Sequence, residues 1–177
     1  MKSFRMVPSV TEYKEFADYA KATGLGADDL VVTNRYIYEP GISRLGLGCQ
    51  TVFQEEYGGG EPTDEMVDAI LEELRNKSYS RIIAVGGGTV IDIAKVLAVA
   101  GRTDTVDTLY ERMQELRKEH PLVIIPTTCG TGSEVTNISI INRTRKGVKM
   151  GLVSEAMYAD EAVLVPGMLQ SLPYSVF

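Results

Sequence analysis

Residues 81–100 read RIIAVGGGTVIDIAKVLAVA, and this stretch decides the fold class. RIIAV (81–85) is a short apolar run of the kind that forms a strand buried on both faces. Gly86, Gly87 and Gly88 follow at once, and TVIDIAKVLAVA (89–100) is apolar nearly all round. A helix of that character must be packed on several sides. Strand, glycine turn and helix make one unit of a parallel sheet flanked by helices.

The same alternation continues in both directions. On the N-terminal side TEYKEFADYAKAT (11–23) is expected to form a helix stopped by Gly24. Leu30–Thr33 is a β-branched strand, and a short helical piece is expected over Tyr36–Leu45, interrupted by Pro40 and Gly41. TVFQEEY (51–57) leads into the turn-rich GGGEP (58–62). The clearest helix runs from Thr63 to about Lys77. Thr63 can cap it, Asp64 and Glu65 suit its positive end, and Met66, Val67, Ile70, Leu71 and Leu74 form one apolar stripe.

On the C-terminal side a polar stretch ends in RMQELRKEH (112–120), followed by the strand PLVIIP (121–126) and the small-residue loop TTCGTGSE (127–134). ISII (138–141) and GVKMGLV (147–153) predict a hairpin around NRTRK, and AVLVP (162–166) a last strand.

Composition sets the outer limits. A chain of 177 residues is one ordinary α/β domain or a fraction of a larger enzyme. Such a domain buries roughly 70% of its unfolded surface, so no disulfide or metal staple is needed for folding. Lys and Arg number 18 against 24 Asp and Glu, a formal charge of −6, which argues against a nucleic-acid partner. Cys49 and Cys129 are too far apart in sequence for a CxxC metal site and too few for a disulfide scaffold. The opening MKSFRMVPSV lacks the apolar run of a signal peptide, and no stretch is long and apolar enough to span a membrane. The expectation is a reduced, cytoplasmic, soluble protein. Its single histidine, His120, reads as a strand-entry or surface residue.

Two loops carry the chemistry. Gly86–Gly88 lack Cβ atoms, so backbone N–H groups there can approach a phosphate, and the following helix N-terminus adds positive potential. No GK[ST] follows, which disfavours kinase or ATPase chemistry of the Walker type. Thr127, Thr128, Thr131 and Ser133 crowd hydroxyls around Gly130 and Gly132, again directly after a buried strand. In a parallel sheet two such loops can face one crevice at the carboxyl ends of the strands, where nucleotides bind. Each loop alone is equally well read as a tight or capped turn. Asp92 and Lys95 are the only charges in the apolar helix, one turn apart, and are expected to pair with each other.

VGGGTVIDIAK (85–95) and PTTCGTGSEVTN (126–137) together resemble the iron-containing (group III) alcohol dehydrogenases. Those enzymes carry GGGSxxDxAK and PTTxGTGSE blocks in their N-terminal domain. VFQEEYGGGEPTDEM (52–66) and AVLVPGMLQSLP (162–173) extend the likeness over nearly the whole chain, toward members that act on 4-hydroxybutyrate. The resemblance implies an α/β, Rossmann-like parallel sheet flanked by helices, with a β-hairpin and without the family's helical metal-binding domain. Residues 1–177 would then be the N-terminal dinucleotide-binding domain of an enzyme oxidising a primary alcohol to an aldehyde, homo-oligomeric at full length.

By the same resemblance Gly86, Gly87, Gly88 and Thr89 would hold the cofactor pyrophosphate, with Thr89 replacing the usual serine. Thr127, Thr128, Thr131 and Thr136 would line the cofactor cleft, and Lys149 would contact the cofactor. Cys129 occupies a small-residue position and reads as packing. Asn34 departs from the aspartate that many members place after the second strand to accept from the adenosine ribose. An amide there leaves the choice of NAD or NADP open, and Glu61 is a candidate for the ribose contact, with NAD favoured.

Family enzymes bind Fe²⁺ through one aspartate and three histidines, beginning with a DAxxH motif after an LxxLP segment. Here that segment is Leu169–Pro173, the sequence stops at Phe177, and one histidine cannot build such a site. The expectation is that this chain supplies the cofactor half and is inactive alone. Lactaldehyde, propanediol, maleylacetate or glycerol-type members of the superfamily, and a non-catalytic nucleotide-binding module, remain alternatives at this point.

Overall fold

The computed structural model describes residues 7–169. Eight strands and five α-helices alternate in the order β1 (Ser9–Glu12), α1 (Phe16–Thr23), β2 (Asp29–Thr33), α2 (Arg35–Gly41), β3 (Gln50–Phe53), α3 (Asp64–Leu74), β4 (Arg81–Gly86), α4 (Gly88–Val99), α5 (Val106–Glu111), β5 (Leu122–Pro126), β6 (Ile138–Arg143), β7 (Val148–Val153) and β8 (Glu161–Leu164). Six strands form one sheet in the order β1-β8-β5-β4-β2-β3, every pairing parallel. β6 and β7 form a separate antiparallel hairpin, with Ile138 opposite Val153.

The continuous apolar strands follow from burial on both faces. Ile82 and Ala84 of β4, with Leu122 and Ile124 of β5, face one core built with α3, α4 and α5. Ile83, Val85, Val123 and Ile125 face the other, built with Phe16, Tyr19 and Ala20 of α1. Helix α4 lies between the sheet and the hairpin: Ile91 and Leu97 share their cluster with Ile82 on one side and Ile141 and Leu152 on the other. That double packing is why α4 has no polar face.

Strand and helix expectations hold closely for residues 30–33, 81–100, 122–126 and the hairpin. Thr63 caps α3 as its sequence suggests, accepting from the Met66 N–H at 3.1 Å. The N-terminal reading is corrected. Residues 11–23 do not form one helix, because Ser9–Glu12 pair with Glu161–Leu164 as the edge strand β1, and α1 starts only at Phe16. Helix α5 lies in a stretch read only as polar. It is started by reciprocal hydrogen bonds between Thr105 and Thr108, a capping box of two threonines. Of the segment 169–173, all but Leu169 lies outside the described residues.

Candidate cofactor cleft

Connections leaving β2 and β4 set the site. From β2 the chain enters α2, whose Ile37 and Tyr38 pack with the α1-side core, and moves outward to β3. From β4 it enters α4 on the opposite face and moves the other way, to β5. The crevice above the carboxyl ends of β2 and β4 is therefore a topological switch point, the place where open α/β sheets bind ligands. Asn34 stands immediately after β2, and Gly86 ends β4 with Gly87 and Gly88 leading into α4. Thr127 begins the loop after β5, its N–H donating to the Gly86 carbonyl at 3.0 Å.

The three glycines differ in what demands them. A Cβ at Gly86 would stand 2.6 Å from Val90 Cβ, so close approach of strand and helix requires glycine there. A Cβ at Gly87 would meet Thr128 Cγ2 at 3.3 Å, so the two sequence-predicted loops touch. A Cβ at Gly88 would meet nothing within 4 Å, and its φ is not in the left-handed region. Nothing among the described residues requires glycine at position 88, whereas a ligand lying on the helix N-terminus would. Gly88 and the next two residues carry the N–H groups that have no acceptor inside a helix.

Three further residues gather on one rim. The Thr89 hydroxyl donates to the Gly60 carbonyl at 3.0 Å, next to Glu61, whose carboxylate accepts from Lys149 Nζ at 2.6 Å. The loop 58–61, the start of α4 and strand β7 are thereby joined around the glycine turn. In the second loop Thr131 is exposed and accepts from the Ser133 N–H, while Cys129 is also exposed. The packing reading of Cys129 is corrected accordingly: the loop turns it outward. Thr136 is half-buried, its hydroxyl donating to the Ser133 carbonyl at 3.3 Å.

Asn34 is buried, and its side-chain amide donates to Gln54 Oε1 at 3.0 Å and to Glu55 Oε2 at 2.8 Å. The other Glu55 oxygen accepts from the Arg35 N–H at 2.6 Å. Partial desolvation raises the Glu55 carboxyl, but these hydrogen bonds outweigh it and hold the group below its ordinary value. A negative charge thus stands beside Asn34 after all, delivered by the turn after β3. The neighbouring Arg35 guanidinium is engaged by Glu56 and lies 4.1 Å above the Phe53 ring. Sequence inspection missed Glu55 because nothing local ties VFQEE to position 34.

The pairing expected within α4 is also corrected. Among the described residues Asp92 and Lys95 form no ion pair. Asp92 Oδ2 accepts from the Ile140 N–H at 3.0 Å, and its carbonyl accepts from the Ser139 hydroxyl at 2.9 Å. Lys95 Nζ donates to Thr136 Oγ1 at 3.0 Å and to the Ile138 carbonyl at 2.8 Å. Both grip the segment that follows the second loop. His120 lies at the opposite end of the sheet, before β5, its ring 4.5 Å from that of Tyr79. Burial lowers its pKa.

A family model for iron-containing alcohol dehydrogenases matches residues 7–166. The chain belongs to the iron-containing alcohol dehydrogenase family. It is 44% identical over 177 residues to 4-hydroxybutyrate dehydrogenase of Clostridium kluyveri, covering 100% of this chain and 47% of that protein. Sulfoacetaldehyde reductase of Bilophila wadsworthia is 30% identical over 182 residues, covering 96% of this chain and 45% of that protein. Among solved structures, sulfoacetaldehyde reductase from Bifidobacterium kashiwanohense in complex with NAD⁺ superposes with a TM-score of 0.82 at 26% identity. That match covers 99% of this chain and 49% of the other. An iron-containing alcohol dehydrogenase from Thermotoga maritima superposes with a TM-score of 0.79 at 28% identity, covering 99% and 51%. The chain therefore spans about half the length of the relatives it matches.

The family name carries iron, and the described residues do not fit a metal site. Among the described residues no three His, Cys, Asp or Glu side chains come together in a way that could hold an ion. No helix among them is long and apolar enough to cross a membrane.

Proposed function

We propose that these residues are the cofactor-binding half of an alcohol dehydrogenase that interconverts a primary alcohol and an aldehyde with NAD. The open space over Gly88, at the N-terminus of a helix on a topological switch point, is the observation that carries the reading. Gly86–Gly88 and Thr89 would hold the pyrophosphate, with Thr127, Thr128, Thr131 and Thr136 along the cleft and Lys149 at its rim. When bound, the nicotinamide supplies the hydride acceptor or donor. This chain's own part is to bind and orient that cofactor. The substrate pair proposed is 4-hydroxybutyrate and succinate semialdehyde, supported by the 44% identity to 4-hydroxybutyrate dehydrogenase. Residues that polarise the alcohol oxygen are assigned to the half of the relatives' length that this chain does not cover, and the whole enzyme is read as a cytoplasmic homo-oligomer.

The chain alone is expected to bind NAD only weakly and to leave 4-hydroxybutyrate unoxidised, with or without added Fe²⁺. NADH formation by the purified 177-residue chain, followed at its absorbance band, would overturn that division of labour.

For the dinucleotide choice, the Asn34–Glu55 pair supports NAD. The 2′-phosphate of NADP placed beside Asn34 would face the Glu55 carboxylate, a like-charge contact, whereas a ribose hydroxyl can donate to it. Glu55→Gln is expected to narrow the preference of NAD over NADP by about tenfold, on the order of 1.4 kcal/mol. Titration calorimetry with both dinucleotides checks this, and an unchanged ratio assigns the discrimination elsewhere, with Glu61 the next residue to test.

A further inference from the structure

Lys95 has no exposed surface, although it belongs to a helix whose other buried residues are all apolar. A methionine or leucine would fill the same volume without bringing a charge out of water. Among the described residues no carboxylate pairs with the ammonium, and Asp92 is engaged by the backbone of Ile140. Its acceptors are neutral, the Thr136 hydroxyl and the Ile138 carbonyl. Both belong to the segment that leaves the second loop and enters β6. Thr136 relays the contact, since its hydroxyl donates in turn to the Ser133 carbonyl. A chain of hydrogen bonds therefore runs from the core of α4 into the loop, while the N-terminus of the same helix carries the glycine turn. Asp92, one turn nearer that end, grips Ile140 and Ser139.

We propose that Lys95 is a positioning residue for the cofactor cleft, holding Thr136 and the loop behind it at a fixed distance from the glycine turn. The proposal rests on the reading of this cleft as the NAD site. Lys95 acts on the cleft through its hydrogen bond to Thr136. An ammonium suits this role because two charge-assisted bonds on one atom fix both a side chain and a main-chain carbonyl. Burial lowers its pKa from the ordinary lysine value to about 8, with Asp92 on the same helix and Glu134 from the loop working in the opposite direction. Lys149, from β7, acts on Asp92. The clamp is accordingly charged below about pH 8 and holds with weaker, neutral bonds above it.

The test is NAD affinity of the 177-residue chain by titration calorimetry between pH 7 and pH 9.5, for the unsubstituted protein, Lys95→Met, Thr136→Val and the double variant. Expected is a several-fold weakening of the unsubstituted protein across pH 8. Lys95→Met should bind about tenfold more weakly at pH 7, with a flat profile through pH 8. Thr136→Val should lose part of the same affinity, and the double variant should lose no more than Lys95→Met, because both act through one contact. Absence of NAD binding by the unsubstituted chain would overturn the cofactor reading, and the clamp's role in it. Binding by the unsubstituted chain, with equal affinity and the same pH profile in a folded Lys95→Met, would overturn the positioning role alone. Should Lys95→Met fail to fold, Thr136→Val decides: an unchanged affinity and profile there refutes the clamp.

Discussion

Gly88→Val is expected to weaken NAD binding about a hundredfold or more, on the order of 3 kcal/mol, while the protein stays folded. Among the described residues, a valine Cβ here would meet no atom within 4 Å beyond its chain neighbours and its own helix backbone, and the backbone at position 88 is not left-handed. Valine is also a better helix residue than glycine, so thermal stability should hold or rise slightly. What the branched side chain fills is the space from which a phosphate would reach the first N–H groups of α4. Gly86→Ala is the contrasting control. Its Cβ would press on Val90 Cβ at 2.6 Å, so it should lower stability by about 1–3 kcal/mol, whatever it does to binding. Melting curves and NAD titrations on the same preparations separate the two effects. A Gly88→Val protein that binds NAD as tightly as the unsubstituted chain would remove the glycine turn from the cofactor site.

Acid unfolding is expected to depend on Asp64. Its side chain is fully buried at the start of α3 and receives bonds from the turn between β6 and β7: Thr144 N–H at 3.0 Å, Thr144 Oγ1 at 2.6 Å and Arg145 Nε at 3.1 Å. Desolvation raises its carboxyl, but the bonds from Thr144 and Arg145 outweigh that and bring the pKa down to about 2. A depressed carboxyl contributes stability that is fully present above its unfolded pKa of about 4 and is lost as pH falls toward 2. A shift of that size corresponds to roughly 2 kcal/mol.

Asp64→Asn should therefore lower stability at pH 6 by about 2 kcal/mol and flatten the loss between pH 4 and pH 2. Asp64→Ala, which leaves the Thr144 groups without an acceptor, should cost about 3 kcal/mol. Urea unfolding of the three proteins across pH 2–6 measures both quantities. Parallel pH curves for the unsubstituted protein and Asp64→Asn would show that the carboxylate is not the group that titrates.

These two residues also show what could be read in the sequence. The sheet, its glycine turn and the second loop were legible because their signals are local: apolar runs of strand length ending in Gly or Thr clusters. Edge strand β1 was not, because its partner among the described residues, β8, lies about 150 positions away, and TEYKEF carries enough helical spacing to hide it. Helix α5 is six residues long, and its two-threonine cap is weaker than the Ser/Thr with Glu pattern that announces a start.

Within the site, the glycines and threonines declared themselves, and the residues that hold them did not. Asp64 was read as a dipole-complementing acid, which accounts for its place at the helix start but not for its burial under residues 144 and 145. Lys95 was read against Asp92 because one-turn spacing is the only geometry a sequence displays. Its acceptors are 41 and 43 positions away. Glu55 was overlooked for the same reason, its partner being 21 positions upstream.

The double packing of α4 between sheet and hairpin gives the molecule an internal spectroscopic contrast. Amide protons in the middle of that helix, bonded and covered on two sides, should exchange with solvent only when the whole domain opens. Those of Gly88, Thr89 and Val90, at the start of the same helix, lack helical acceptors. The slowest and the fastest amides of one element are thus neighbours. A dinucleotide seated on the glycine turn would slow the second group and leave the first untouched, so occupancy of the cleft can be followed from three backbone signals without any turnover.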